Sequence, residues 1–248
     1  LTARGAGSTA RLTMGKPGNA SEGVTANLGA IAIIAAGNQN GFVHSTAELL
    51  LELKGTIAGP VRVQAAGMHS SASMLVDAPA GMETSDLIAV STGHGATSNI
   101  DVHQRAADKV LKVGSLSATS HAVDSQSHVT LNGDDGKVVL GSQLSALAAG
   151  SGSNAIIEIN AGKGAIAPAT AGVYSAISAI ATGARYGSGA DATGSNASVT
   201  ITSLSGAIDV GSVRVDAAGS DSMAAVTITS AQAPVTLHAA ASVTASAS

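Results

Sequence analysis

The sequence predicts an all-β fold, a three-sided parallel β-helix (β-solenoid) of about eight rungs of roughly 27 residues each. Three observations support this prediction. A short phrase with apolar residues at alternate positions returns along the whole chain, and each repeat holds three strand-like segments separated by breaks. Aromatic residues make up only 1% of the sequence, so the core is built from Ala, Val, Ile and Leu, which suits a narrow interior better than a thick one.

The repeated phrase sets the period. In its clearest copies, at 197–201 and 224–228, apolar residues alternate with Ser, Thr or Ala, which is the pattern of a strand with one buried face. Most intervals between copies are about 25–29 residues, the range of solenoid repeats. The first apolar residues of the eight copies are Leu12, Leu49, Met74, Ile100, Val129, Ile157, Val199 and Val226.

Residues 198–219 show one complete rung. A first strand at 198–202, a second at 207–210 and a third at 213–216 are separated by breaks rich in Gly and Ser. Each strand should pair in parallel with its equivalent one rung away, so eight rungs form a rod about 38 Å long. Thr130, Thr200 and Thr227 should then stack at one outward position of the first strand.

Glycine marks the corner after the third strand. An apolar segment that ends in Gly recurs there, often with alanines just before it. Glycine suits a corner because it adopts positive φ without steric cost. These glycines are Gly37, Gly67, Gly93, Gly150, Gly183 and Gly219.

Composition excludes several functional classes. The net charge is −4, so the basic footprint of a nucleic-acid-binding protein is missing. The absence of Cys excludes disulfides, thiolate zinc sites and a cysteine nucleophile. No apolar run approaches the ~20 residues that a membrane-spanning helix needs.

We interpret residues 1–248 as a single solenoid segment. The two longest intervals between repeats predict loops inserted near 15–30 and 183–196. Both ends of the sequence fall at about the same phase of the rung, and neither resembles a polar cap. We therefore expect either an excised part of a longer rod or a subunit whose copies stack end to end.

Four histidines recur at regular spacing and form a candidate metal-binding ladder. His44, His69, His94 and His121 precede successive first strands at spacings close to one rung. A ladder of imidazoles could bind a transition metal or respond to acid. The favoured interpretation is that these are polar corner residues that reach solvent, with no metal and no cofactor.

No catalytic residue is predicted. Asp134 and Asp135 resemble a fragment of a calcium loop, but a calcium site needs six to eight oxygen ligands, so a plain turn is favoured. The sequence contains no P-loop, dinucleotide fingerprint or nucleophile elbow. A carbohydrate-active β-helix enzyme stays open as an alternative, since two of the sixteen acidic residues could meet.

The segments 198–219 and 128–138 carry a resemblance to a family. Their short strands, Gly corners and richness in Ala, Ser and Thr resemble the repeat shafts of filamentous-haemagglutinin-like adhesins, large bacterial exoproteins of which many are secreted by the two-partner route. The resemblance implies a right-handed parallel β-helix, secretion to the bacterial cell surface or extracellular matrix, and a role in adhesion or biofilm cohesion.

We therefore expect a structural or adhesive shaft whose partners are neighbouring rungs, copies placed end to end, or host-surface and matrix glycans. The first alternative is a self-assembling subunit of an extracellular filament or sheath, and the second is the carbohydrate-active enzyme. The ligand-binding residues are not predicted.

Overall fold

The computed structural model describes residues 1–5, 7–15, 24–37, 44–182, 194–239 and 241–246. Within these residues every regular element is a β-strand, and the strands pair in parallel as a solenoid of eight rungs. The predicted three-sided β-solenoid is confirmed.

Twenty-four strands make up the described chain. The first eight are β1 (Thr2–Arg4), β2 (Thr9–Met14), β3 (Val24–Leu28), β4 (Ile31–Ala36), β5 (Thr46–Ile57), β6 (Val61–Ala66), β7 (Ser71–Ala78) and β8 (Met82–Thr84). The next eight are β9 (Leu87–Thr92), β10 (Thr97–Gln104), β11 (Val110–Val113), β12 (Leu116–His121), β13 (Gln126–Asn132), β14 (Lys137–Leu140), β15 (Gln143–Ala149) and β16 (Asn154–Asn160). The last eight are β17 (Ile166–Pro168), β18 (Ala176–Thr182), β19 (Asn196–Ser203), β20 (Ile208–Val210), β21 (Ser212–Ala218), β22 (Met223–Ser230), β23 (Val235–Leu237) and β24 (Ala241–Ser246).

Each rung contributes to three faces of the rod. The first face consists of β2, β5, β7, β10, β13, β16, β19 and β22. The second consists of β3, the C-terminal part of β5, β8, β11, β14, β17, β20 and β23. The third consists of β1, β4, β6, β9, β12, β15, β18, β21 and β24. Because β5 runs unbroken through the corner between the first and second faces, those two faces form one 15-stranded sheet, and the third face is a separate nine-stranded sheet.

The register confirms the predicted period. The eight apolar residues from Leu12 to Val226 lie opposite one another in successive strands of the first face. Thr130, Thr200 and Thr227 share one outward column as predicted, with Glu158 between the first two.

The interior is a single apolar column along the rod. Alternate residues of each strand point inward, and Leu49, Met74, Ile100 and Val129 are all 1% exposed or less. Many inward positions hold only Ala, which keeps the three faces close together. In the last rung the inward side chains are open to solvent, and Val243 is 51% exposed.

The corner between the third and first faces needs positive φ. Gly67, Gly93, Gly150 and Gly219 have φ between 121° and 134° there, as predicted. A Cβ added to Gly93 would lie 2.1 Å from the carbonyl oxygen of Gly67, so the corner at Gly93 leaves no room for a side chain. Gly183 lies outside the described residues.

The predicted insertions are described only at their edges. Of the first, near 15–30, residues 16–23 lie outside the described part, and Val24–Leu28 is not a loop but strand β3, which pairs with the C-terminal part of β5. The strand forms because β5 is long enough to offer backbone partners on the second face. Of the second, near 183–196, residues 183–193 lie outside the described part and Asn196 begins β19.

Candidate functional surfaces

Three of the four predicted histidines gather at the corner that precedes the first face. The ring centroids of His44 and His69 are 5.3 Å apart, and those of His69 and His94 are 5.7 Å apart. All three side chains are exposed, and His94 Nε2 lies 3.6 Å from Asp124 Oδ2. The corner therefore presents a short polar column to solvent.

His121 does not belong to this column. It is the last residue of β12 and pairs with Thr92 and Ala149 on the third face. The less favoured interpretation, a four-membered ladder, assumed a nearly constant rung length and does not hold, because 29 residues separate Thr97 from its register partner Gln126. Among the described residues, no group of three His, Cys, Asp or Glu side chains is arranged to hold a metal ion.

Asp134 and Asp135 form a turn whose carboxylates already have partners. Asn132 Oδ1 accepts a hydrogen bond from the Asp134 amide, and Asp134 Oδ1 lies 3.0 Å from His103 Nε2. Asp135 Oδ1 accepts a hydrogen bond from the Lys163 amide one rung away. These contacts agree with the predicted plain turn.

Acidic side chains of the first and second faces pair with Arg, Lys or His side chains of neighbouring rungs. Pairs of this kind join partners that lie about one rung apart in sequence, so each one links adjacent strands of a ladder. All of these pairs except Arg105–Asp77, whose carboxylate is buried, are at least partly exposed, and exposed pairs contribute little individually to stability. The pairs are Arg105–Asp77, Lys112–Glu83, His103–Asp134, His128–Glu158, Lys163–Asp135 and His238–Asp209.

The carboxyl group of Asp101, on the first face, has a raised pKa. Burial raises its pKa above the ordinary 3.8, and the charge of Asp77 adds to the rise, while His103 and His128 lower the pKa in part. The folded protein therefore holds the proton of Asp101 more tightly than the unfolded chain does. Ionisation of this group costs stability, and the cost appears as the pH rises above 3.8 and through the folded pKa.

We predict that Asp101→Asn stabilises the protein at neutral pH by no more than about 0.5 kcal/mol, because the substitution removes a half-buried charge that solvent partly screens. The gain should shrink as the pH falls towards 3.8, where the parent carboxyl becomes neutral. Urea unfolding at several pH values measures both effects. Asp108→Asn is the control: Asp108 is fully exposed and a hydrogen bond from Lys109 lowers its pKa, so no stabilisation is expected there. A gain for Asp101→Asn that grows on acidification would contradict the prediction.

A column of buried serines lines the corner between the third and first faces, where His44, His69 and His94 lie. This column was not predicted from the sequence. The residue just before the first-face strand is a buried Ser in most rungs, and its hydroxyl can bond to a carbonyl that closes the same rung. Ser45 Oγ donates to Ala66 O at 2.6 Å, and Ser70 Oγ donates to Thr92 O at 2.9 Å. The repeated Ser just before the first strand of most rungs could have predicted this column. These residues are Ser8, Ser45, Ser70, Ser125, Ser153 and Ser195.

Glu52 is a second buried polar residue that the sequence pattern did not single out. It lies where β5 turns the corner, where three consecutive residues, Leu51, Glu52 and Leu53, are buried. Its Oε2 has no hydrogen-bond partner. Its register partner Asp77 forms an ion pair with Arg105. Asp77 therefore has a basic partner, whereas Glu52 Oε2 has no hydrogen-bond partner.

Two grooves flank the third face. One, of about 260 Å³, is lined by Ala66, Gly67, Met68, Thr92 and Gly93. The other, of about 330 Å³, is lined by Ala30, Ile31, Ala32, Pro60, Arg62 and Ile88. Among the described residues that line the two grooves there is no carboxylate and no histidine, so these residues offer no general acid or base.

Comparison of the chain with family models, with curated proteins and with solved structures finds no match. The described residues include no helix that is long and apolar enough to span a membrane.

Proposed function

We propose that this chain forms part of the structural shaft of a large secreted bacterial surface adhesin, which holds a binding element away from the cell and contributes to cohesion between cells. The observation that carries the proposal is the parallel ladder of the first face, which joins all eight rungs in register. Such a ladder gives an element of defined length, about 4.8 Å per rung, and repeats its surface at fixed intervals.

The surface chemistry also favours a structural role. Several carboxylates of the first and second faces, among them Asp77, Glu83 and Glu158, pair with a basic side chain one rung away, so they make contacts within the rod. The resemblance to filamentous-haemagglutinin-like shafts supports adhesion and a cell-surface or matrix location. The rod geometry in this proposal comes from the fold, and the secretion and adhesive role come from the resemblance.

A deletion of whole rungs tests the rod. Thr97, Gln126 and Asn154 are register equivalents, so deletion of 97–153 removes two complete rungs and joins equivalent corners. We expect the shortened chain to keep its β circular dichroism and to lose roughly 10 Å of length in small-angle scattering. Deletion of 97–138 is the matched control: it removes one and a half rungs, brings unlike faces together, and should unfold the chain.

Surface display tests the shaft function. The parent and the two-rung deletion are placed between an outer-membrane anchor and a short epitope, and adhesion to a polymer-covered surface bearing the matching antibody is measured. A shaft predicts adhesion that depends on the epitope and falls when rungs are deleted. Adhesion that does not depend on rung number, or turnover of an acidic polysaccharide by the purified chain, would contradict the proposed function.

A further inference from the structure

The third face differs from the other two in its lack of charge. On its described strands the outward charged side chains are confined to Arg4, Arg62 and the pair Arg214–Asp216, whose members bind each other. The four central strands, β9, β12, β15 and β18, carry no Lys, Arg, Asp or Glu, and the one titratable side chain on them is His121 at the end of β12. The first and second faces display the cross-rung ion pairs described above. Covering the third face therefore costs little desolvation of charge.

The outward side chains of this face form a ridge between two grooves. The middle column holds the larger residues Ile34, Gln64, Val90, Thr119, Leu147 and Ile180 in register. One flanking column holds Ala36, Ala66, Thr92, His121, Ala149 and Thr182. The other holds Ala32, Arg62, Ile88, Ser117, Ser145 and Ser178, so it is small over the central strands β12, β15 and β18. A ridge beside columns of small residues can interdigitate with a second surface of the same shape.

The dimensions of the face fit a stable dimer. Nine strands at about 4.8 Å give a height of about 38 Å, and six-residue strands give a width of about 20 Å. Each copy would then contribute roughly 750 Å² to a shared interface. The total of about 1,500 Å² lies in the range of stable, specific protein interfaces.

We propose that the third face is a lateral association surface whose occupant is the third face of a second copy of this chain. The two sheets pack about 10 Å apart, with the ridge of each copy beside the small residues of the other. The same patch serves both copies, so the interface closes as a symmetric pair and does not propagate sideways. This inference deepens the proposed function, since it pairs shafts side by side. Only the biological role of the pairing rests on the proposed function.

Sedimentation equilibrium of the full chain, from low micromolar to a few hundred micromolar, is the first test. We expect a monomer–dimer equilibrium for the parent. Leu147→Lys combined with Ile180→Lys should weaken dimerisation at least tenfold, because two charges would be buried in the ridge. Thr200→Lys combined with Thr227→Lys places the same charges at outward positions of the first face and should leave dimerisation unchanged.

Cysteine cross-linking gives a second readout that does not depend on the stability of the lysine variants. The chain has no native Cys, and Thr119 lies in the middle column near the centre of the face. With a short homobifunctional maleimide, Thr119→Cys should form a covalently linked dimer, whereas Thr200→Cys should not. A parent that stays monomeric, a dimer insensitive to the ridge lysines, or cross-linking only through Thr200→Cys would overturn the inference. Because these tests measure mass and the rung deletion measures length, the inference and the proposed function can fail separately.

Discussion

Gly93→Ala should destabilise the rod by about 3 kcal/mol, because the residue has φ of 121° and its new Cβ would lie 2.1 Å from the Gly67 carbonyl oxygen. An L-residue is strained at this φ, and the clash is with backbone of the neighbouring rung, which cannot rotate away. The midpoint of urea unfolding, followed by circular dichroism, measures the loss.

Ala122 provides the reciprocal experiment. It occupies the same corner one rung further along, and it is the non-glycine residue there with φ of 136°. Ala122→Gly should therefore stabilise the protein by about 1 kcal/mol through relief of strain. Gly172→Ala separates backbone strain from the clash between rungs. Gly172 has φ of 81°, and nothing lies within 4 Å of its added Cβ, so we expect a loss of about 1 kcal/mol from strain alone. Equal costs for Gly93→Ala and Gly172→Ala would show that the clash between rungs is not important.

Leu131→Ala should cost about 3 kcal/mol, since Leu131 is fully buried between Val102 and Ile159 in the interior column. The smaller side chain leaves a cavity that the flanking rungs can fill only by moving the stacked backbone. Hydrogen exchange should show the loss of protection centred on the neighbouring rungs, because each rung contacts only those beside it.

Thr130→Ala is the matched control for the interior substitution. Thr130 precedes Leu131 and points outward, so its truncation should change stability by no more than about 0.5 kcal/mol. Comparable losses for the two variants would contradict the assignment of inner and outer positions on the first face.

The sequence predicts the first face well because its polar and apolar residues alternate. The column from Leu12 to Val226 can be aligned from the repeated phrase alone, since each strand has only one apolar side. On parts of the third face the alternation fails: segment 31–36 is entirely apolar, so periodicity alone does not say whether Ile33 or Ile34 faces inward. The outward ridge of the third face was therefore not predictable from the pattern.

The positions of residues near the corners were the hardest to predict from the sequence. The position of His121 was predicted by counting a nearly constant rung, and the longer rung after Thr97 moves it onto the third face. The unbroken path of β5 through its corner was missed for a related reason, because the apolar run at 49–51 gives no sign of where one face ends. Corner lengths depend on local turn geometry, which a repeat period does not record.

The parallel ladder has a mechanical consequence for a rod anchored at one end. Hydrogen bonds between rungs, such as Gly93 N–H to His121 O at 3.0 Å, join each coil to the next. Tension along the rod would load the bonds of one terminal coil at a time, so the coils would peel away in sequence. Each released coil would add roughly 90 Å of slack at about 3.4 Å per extended residue, and the tether would yield in steps under flow while the remaining coils stayed intact.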